Sequence, residues 1–573
     1  MRRFYRRSAA PMALCAALCA SCGGGGSDNA VMNLPPSVTL ADPGNGTPGN
    51  VVALTATASD PDDGVAKVEF FDGSTLLGAD TTGPYAFSWT PLAAGPHTLT
   101  ARATDNHGAA TTSAAVTVLV IPPPPALDGL PPTATLTAPA NLASALTGAI
   151  TVAATATDNV AVADVEFQID GVTIAAADTS APYSASLDTS AYPAGQHVVR
   201  ARATDTSGNV SPWSTALVRF GGSSAKPAGF TLDQGWVAGL SNATAFAQAP
   251  DGRLFVAEQG GTLRVVKNGA LLATPFATVA VDSAGERGLI GVALHPAFAT
   301  NGFVYIYSTR SSGGVSHNRI SRFTAAGDVA AAASEVVLVD LPNLSSATNH
   351  NGGGMHFGSD GKLYVGVGDN ANGAQAQNLA LPFGKLLRFN EDGSIPADNP
   401  FFATQSGLGR AVWAYGLRNP YTFAVQPGSG RIHINDVGET TWEEIDLGVA
   451  GANYGWPGSE GPDNVGAGIT APLFTYKHAD AAPLGSGPGG FFKGFAIAGG
   501  AFYPANGPFP DGYRDQYYFA DYVNRFVGRI DLTNGNAAYA FATLTGQPVD
   551  LLVGGDGAIY VLTRTGVTRI SAP

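Results

Sequence analysis

The chain reads as all-β: two β-sandwiches followed by a six-bladed β-propeller. Three observations predict this. Only 13% of the 573 residues are charged, while Gly (73) and Pro (39) are abundant, a texture of short strands and turns rather than charged helices. A repeat of roughly 90 residues occurs twice in the first half. A shorter phrase, a turn followed by an apolar-aromatic strand, then recurs about every 40–85 residues to the C-terminus.

The chain opens with "MRRFYRRSAAPMALCAALCASCGGGGSDNA". Arg2, Arg3, Arg6 and Arg7 precede an apolar stretch at 12–20 that is too short to span a bilayer, the pattern of an export signal. "CASC" followed by glycines resembles a bacterial lipoprotein signal. That resemblance implies a lipid on Cys22, a flexible tether over 23–34, and a periplasmic or surface location. The alternative is an ordinary cleaved secretory peptide. Cys15, Cys19 and Cys22 are the only cysteines, so the remainder has no disulfide, cysteine zinc site or covalent haem attachment. Redox chemistry there requires a non-covalent cofactor. A formal charge of −14 argues against a nucleic-acid or anionic-membrane partner.

Residues 35–121 and 131–220 are the two repeats, each with "TATASD" or "ATATDN", a "VEF" strand and "ARATD" in the same order. Val68, Phe70 and Leu76 are expected to recur as Val165, Phe167 and Val172. About seven short alternating strands per repeat predict an immunoglobulin-like sandwich, and both copies resemble bacterial Ig-like modules. "IPPPPALDGLPP" is a stiff spacer between them. The phrases "DGRLFVAE", "NGFVYIYS", "DGKLYVGV", "SGRIHIND", "RDQYYFAD" and "DGAIYVLT" mark one blade each across 227–573. The first half then reads as a stalk and the second as a head.

Oxidation of an alcohol on such a head needs a base, a hydride acceptor and cations. His295, His317, His350, His356, His433 and His478 lie in it, and no pair has the spacing of a helical zinc site. His350, in "TNHNGGGMHFG", sits on a glycine-rich loop where backbone can approach a ligand. By itself it is equally a solvated turn histidine. Arg418 and Asn419 in "YGLRNPYTFAV" end a loop, and the arginine suits a carboxylate or quinone oxygen, or a surface ion pair. "NDVGETTWEEIDL" gathers Asp436, Glu439, Glu443 and Glu444 beside a glycine, a set suited to calcium or to a solvated acidic loop. Glu286 and Arg287 lie on a comparable loop.

"GERGLIGVALHPAF", "NHNGGGMHFGSDGKLYVGVGD", "GKLLRFNEDGSIPADNPF", "YGLRNP", "DVGETTWEEIDL" and "NYGWP" appear in that order. Together they resemble the pyrroloquinoline-quinone (PQQ)-dependent soluble sugar dehydrogenases, the glucose/sorbosone dehydrogenase family. The resemblance implies a six-bladed propeller that oxidises the anomeric hydroxyl of an aldose, with PQQ and calcium as cofactors and an unidentified electron acceptor. It implies that His350 is the base and that Arg418 lies beside the reactive quinone oxygen. Asn419, Asn370 and Glu286 become cofactor contacts, the last where the family commonly has glutamine. Gly438 and Glu439 match the carbonyl pair that holds the PQQ-bridging calcium, and Glu443, Glu444 and Tyr454 match a second calcium site. Arg525 in "DYVNRFVGRI" is the nearest match to the residues that hold the PQQ carboxylates. Asn349 stands where the glucose enzymes place an aspartate, which implies a base without that neighbouring charge. Two other readings remain at this stage: a non-catalytic carbohydrate- or protein-binding propeller, and a calcium-dependent lactone hydrolase.

Overall fold

The computed structural model describes residues 33–124, 128–221, 224–478 and 493–572. The export segment with Cys22, and the tether except its last two residues, lie outside the described residues. Among those residues no helix is long and apolar enough to cross a membrane. The chain divides into two compact units, Met1–Leu127 and Asp128–Pro573.

The first unit is a β-sandwich. One sheet pairs Ser37–Leu40, Val52–Ser59 and Tyr85–Trp89; the other is centred on Val65–Asp72 and Gly95–Asp105. Alternation sends Val68, Phe70, Leu99, Ala101 and Ala103 inward, all fully buried. The second repeat builds the same sandwich, with Val165, Phe167, Ala201 and Ala203 in the equivalent core. The expected match of Leu76 with Val172 fails. The hairpin turn closes with Asp72 opposite Thr75 in the first module and Ile169 opposite Val172 in the second, so Val172 occupies the place of Thr75. Leu76 is 51% exposed.

Val172 instead packs against the apolar cluster of Tyr513, Tyr518 and Phe541 in the propeller. Beside it Arg529 is fully buried. Its guanidinium lies 4.3 Å from the ring centroids of both Tyr513 and Tyr539 and donates to the Asp170 carbonyl at 2.6 Å. Gln196 donates to the Ala538 carbonyl at 2.8 Å. The second sandwich is therefore seated on the propeller, and the simple division into a stalk of two modules and a head is corrected at this point.

Six antiparallel blades make up the rest, the first two of five strands and the other four of four. Their first strands are Ala243–Gln248, Leu289–Leu294, Met355–Phe357, Pro420–Val425, Ile497–Phe502 and Pro548–Val553, and each neighbours the next around a closed ring. Every recurring phrase of the sequence forms the second strand of its blade, from Leu254–Glu258 in blade one to Ile559–Thr563 in blade six. In blades one, three, four, five and six these strands are buried along their whole length, because sheets cover both faces. Thr231–Ala238 pairs with Gly566–Ser571, so the start of the propeller supplies the outer strand of blade six and closes the ring.

Candidate active site

The turns that follow the second strands gather at one end of the ring. Gln259, Val437, Tyr522 and Arg564, each just beyond a second strand, line a cavity of about 330 Å³ together with Thr244, Glu286, Asn419 and Tyr421.

His350 stands directly behind this wall. Its backbone N–H donates to the Glu286 carboxylate at 2.7 Å, and the next turn donates from Gly352 to the Asn419 side chain at 3.0 Å. His350 itself adopts the left-handed region (φ 56°). The glycines after it answer to packing of the chain: a Cβ on Gly352 would lie 2.3 Å from the Gly366 carbonyl. That replaces the reading of this run as bare backbone kept open for a ligand.

His350 Nδ1 is 2.7 Å from Asp369 Oδ1. Asp369 is only 1% exposed, and its other oxygen accepts the Trp456 indole N–H at 2.8 Å. The indole carries the Arg418 guanidinium 5.6 Å above its ring centroid. Arg418 Nη1 donates to the Val437 carbonyl at 3.1 Å, and its Nε is buried with no partner among the described residues. One chain of contacts thus joins the expected base to the expected arginine. In the neutral imidazole, a carboxylate at this distance favours the tautomer with its proton on Nδ1 and the lone pair on Nε2. Asp369 thus places a carboxylate against the His350 ring, where position 349 offers only an amide.

Two of the expected cofactor contacts lie elsewhere. Asn370 is buried, with its amide accepting from Ser345 N at 2.7 Å and donating to the Ala347 carbonyl at 3.2 Å. With Arg287, which donates to the Ser345 and Ala347 carbonyls, it fixes the loop leading to His350. Arg525 is exposed and donates to the Thr545 carbonyl. The basic residue in the cavity wall is Arg564, braced by Gln259, whose own amide donates to the Gly285 carbonyl at 2.6 Å.

The acidic stretch of blade four divides by strand alternation. Glu443 and Glu444 are adjacent on Trp442–Gly448 and face opposite ways. Glu443 meets His478 Nε2 at 2.6 Å and accepts from Ile497 N at 2.9 Å. Tyr454 donates to the Leu447 carbonyl at 2.7 Å. Glu443, Glu444 and Tyr454 therefore do not converge as side-chain ligands.

Asp436 and Asp446 join Glu444 instead. The register pairs Asp436 with Glu444 and Ile434 with Asp446, which puts all three carboxyls on one face. Burial pushes Asp436 up to about 7 although the Arg418 and Asn419 N–H groups donate to it. Burial and the Asp436 charge push Glu444 up to about 8. Asp446 is fully buried with both oxygens unpartnered among the described residues, and burial with its two acidic neighbours raises it well above the carboxylate range.

One oxygen of Glu460 accepts the N–H groups of Glu439, Thr440, Thr441 and Trp442, at 2.8 to 3.3 Å. In a trans peptide the carbonyl opposes the following N–H, so the Gly438 and Glu439 carbonyls face away from Glu460. Gly438 has no room for a side chain, since a Cβ would overlap the Trp442 carbonyl.

Sequence reasoning missed Asp369, Trp456, Arg564, Glu460 and Asp446. Asp446 alone carried a usable signal: residues 444 and 446 share a face of a strand whose partner ends in Asp436.

A glucose/sorbosone dehydrogenase model matches residues 240–571, and a bacterial Ig domain model matches 36–101 and 132–201. The aldose sugar dehydrogenase YliI of Escherichia coli K12 is 30% identical over 56% of this chain and 87% of its own length. Quinoprotein glucose dehydrogenase B of Acinetobacter calcoaceticus is 32% identical over 39% of this chain and 51% of its own. The solved apo-form of the soluble aldose sugar dehydrogenase of Escherichia coli superposes with a TM-score of 0.52 at 25% identity, covering 60% of this chain and all of that one. With its family match running from blade one to the last strand of blade six, the chain belongs to the glucose/sorbosone dehydrogenase family.

Proposed function

We propose that the propeller is an exported, PQQ- and calcium-dependent aldose dehydrogenase that converts the anomeric hydroxyl of a sugar to the lactone. The observation that carries this reading is the chain His350–Asp369–Trp456–Arg418, a histidine held by a carboxylate and joined to a guanidinium whose Nε has no partner among the described residues. The residues present fit the two cofactors. The bare Nε of Arg418 suits a quinone oxygen, and the outward carbonyls of Gly438 and Glu439 suit a calcium ion. Bound in the cavity, PQQ supplies a two-electron acceptor for the hydride from the anomeric carbon, and calcium supplies a Lewis acid.

The protein's part is positioning and proton movement. His350 Nε2 takes the hydroxyl proton, and the Asp369 carboxylate steadies the imidazolium that results. Arg418 stabilises negative charge, and its position is fixed by Trp456 and by the Val437 carbonyl. Arg564 offers a cation to a carboxylate of the cofactor.

The test is reconstitution of purified protein with PQQ and calcium, read by dye reduction on a panel of aldoses. Aldose-dependent turnover that needs both additions is expected. No PQQ binding at micromolar cofactor would sink the reading, and binding without turnover on any aldose would favour the non-catalytic propeller, toward which the Glu286 carboxylate in the cavity wall already leans.

A further inference from the structure

Each sandwich carries three aspartates at one end: Asp60, Asp63 and Asp105 in the first, Asp128, Asp158 and Asp205 in the second. In each group the three contributing oxygens lie within 4.8 Å of one another. Asp60 and Asp158 directly follow matching strands, and Asp105 and Asp205 end the long strands Gly95–Asp105 and Gly195–Asp205. The third member differs in origin. Asp63 comes from the turn after Asp60, whereas Asp128 comes from the segment that enters the second module. The cluster recurs although its source in the chain has changed.

A second observation separates these clusters from ordinary acidic turns. Asp60 Oδ2, Asp63 Oδ1, Asp128 Oδ2 and Asp158 Oδ1 are sealed from solvent and have no hydrogen-bond partner among the described residues. The opposite oxygens are held by donors. Asp60 Oδ1 accepts from Asp63 N at 2.9 Å, Asp158 Oδ2 from Val160 N at 2.8 Å, and Asp128 Oδ1 from Leu130 N at 3.1 Å. Those bonds orient the carboxylates and leave one buried oxygen of each with no partner among the described residues. Asp105 and Asp205 are held in place in turn by the Asn33 and Asn209 side-chain amides, which donate to them at 2.8 Å each. Paired burial of bare, like-charged oxygens is costly unless a cation lies between them.

We infer that each sandwich binds one calcium ion, through Asp60–Asp63–Asp105 and through Asp128–Asp158–Asp205. An all-carboxylate oxygen set suits calcium, which accepts flexible coordination, better than magnesium, which demands a strict octahedron. Each ion ties the incoming segment to its module, because Asn33 donates to Asp105 at 2.8 Å and Asp128 itself belongs to the incoming segment. The first cluster already has a basic neighbour, His107, bonded to Asp63. The second has Ser207 at that place, so it is the tighter of the two. The inference stands apart from the propeller chemistry.

The experiment counts calcium bound to the full-length chain by equilibrium dialysis at about 1 mM, the range of extracellular modules. The paired variants Asp60→Asn with Asp63→Asn, and Asp128→Asn with Asp158→Asn, spare Asp105 and Asp205, which cap turns. Each pair is expected to lose one bound ion whether or not PQQ is present. Asp446→Asn in the propeller leaves both sandwich ions in place, which separates this result from failure of the dehydrogenase reading. An unchanged count in both paired variants overturns the inference. Hydrogen exchange on the wild-type chain needs no variant to fold: calcium should slow amides at 60, 62–64, 105–109, 128–130 and 158–161. No slowing at those amides would overturn it equally.

Discussion

Between the loops of blades three and four, His350, Asp369 and Trp456 form a continuous line of hydrogen bonds; within the sheet of blade four, both carboxylate oxygens of Asp446 have no partner among the described residues. Both sets are buried and both lie near the Arg418–Asn419 turn, which accepts support from each: Asp369 N donates to the Arg418 carbonyl, and Asp436 accepts the two N–H groups of the turn. The difference teaches what each side needs. The base side is organised by the chain alone. The carboxyl side has more negative charge than donors, so it is complete only with protons or a cation.

The largest effect that would sharpen this contrast comes from His350→Ala. General base catalysis is worth about 10²–10⁴-fold, and we expect kcat to fall toward the upper end while calcium binding stays as in the wild type. Loss of calcium binding in that variant would break the separation of the two sides. Asp369→Asn should lower kcat by about 10²-fold, because an amide can present its N–H to the imidazole and fix the wrong tautomer. Trp456→Phe keeps a ring under Arg418 and removes the indole N–H, for a loss of about tenfold. A larger loss in KM than in kcat for either variant would show that the network serves binding rather than the base.

Blade four should answer to pH instead. Asp436 at about 7 and Glu444 at about 8 are raised above the ordinary carboxyl range. Between about pH 4 and 8 the calcium-free native state therefore binds more protons than the unfolded chain. Its stability is highest at the acid end of that window and falls as pH rises through 7 and 8. Denaturant melts from pH 5 to 9 should show the fall, and calcium should flatten it. Asp446→Asn should stabilise the calcium-free protein at pH 8 by about 1–3 kcal/mol and reduce the slope. A flat profile without calcium would mean that donors outside the described residues already satisfy these groups.

The propeller was legible because its signal is periodic and local. Each phrase is a second strand buried on both faces, so turn, apolar run and aromatic residue stand side by side in the sequence. The base network was not legible, because Asp369 and Trp456 reach it across 19 and 87 positions, and only the closed ring brings them together. Attention to Asn349 mistook the neighbour in sequence for the neighbour in space. Glu443 and Glu444 show the reverse case. Their alternation could be read directly, yet family resemblance grouped them as joint ligands, and the strand turns them apart. Val172 shows how a shift of one residue in a hairpin converts an expected core position into a contact with the propeller.

The smallest effect concerns the one acidic side chain that belongs to both sides of the comparison. Glu286 lines the cavity and accepts the backbone N–H of His350. Glu286→Gln keeps an acceptor for that N–H and removes a negative charge from a wall expected to face a tri-acidic cofactor. Because Glu286 is exposed, solvent screens most of the repulsion, and the gain in PQQ affinity should be about three- to tenfold, with kcat nearly unchanged. The gain should shrink as salt is added, since the repulsion removed is a screened surface term. A loss of affinity, or a fall in kcat, would show that the charge of Glu286 is used to hold the His350 turn. The carboxylate would then belong to the self-organised side and not to the side that waits for a cation.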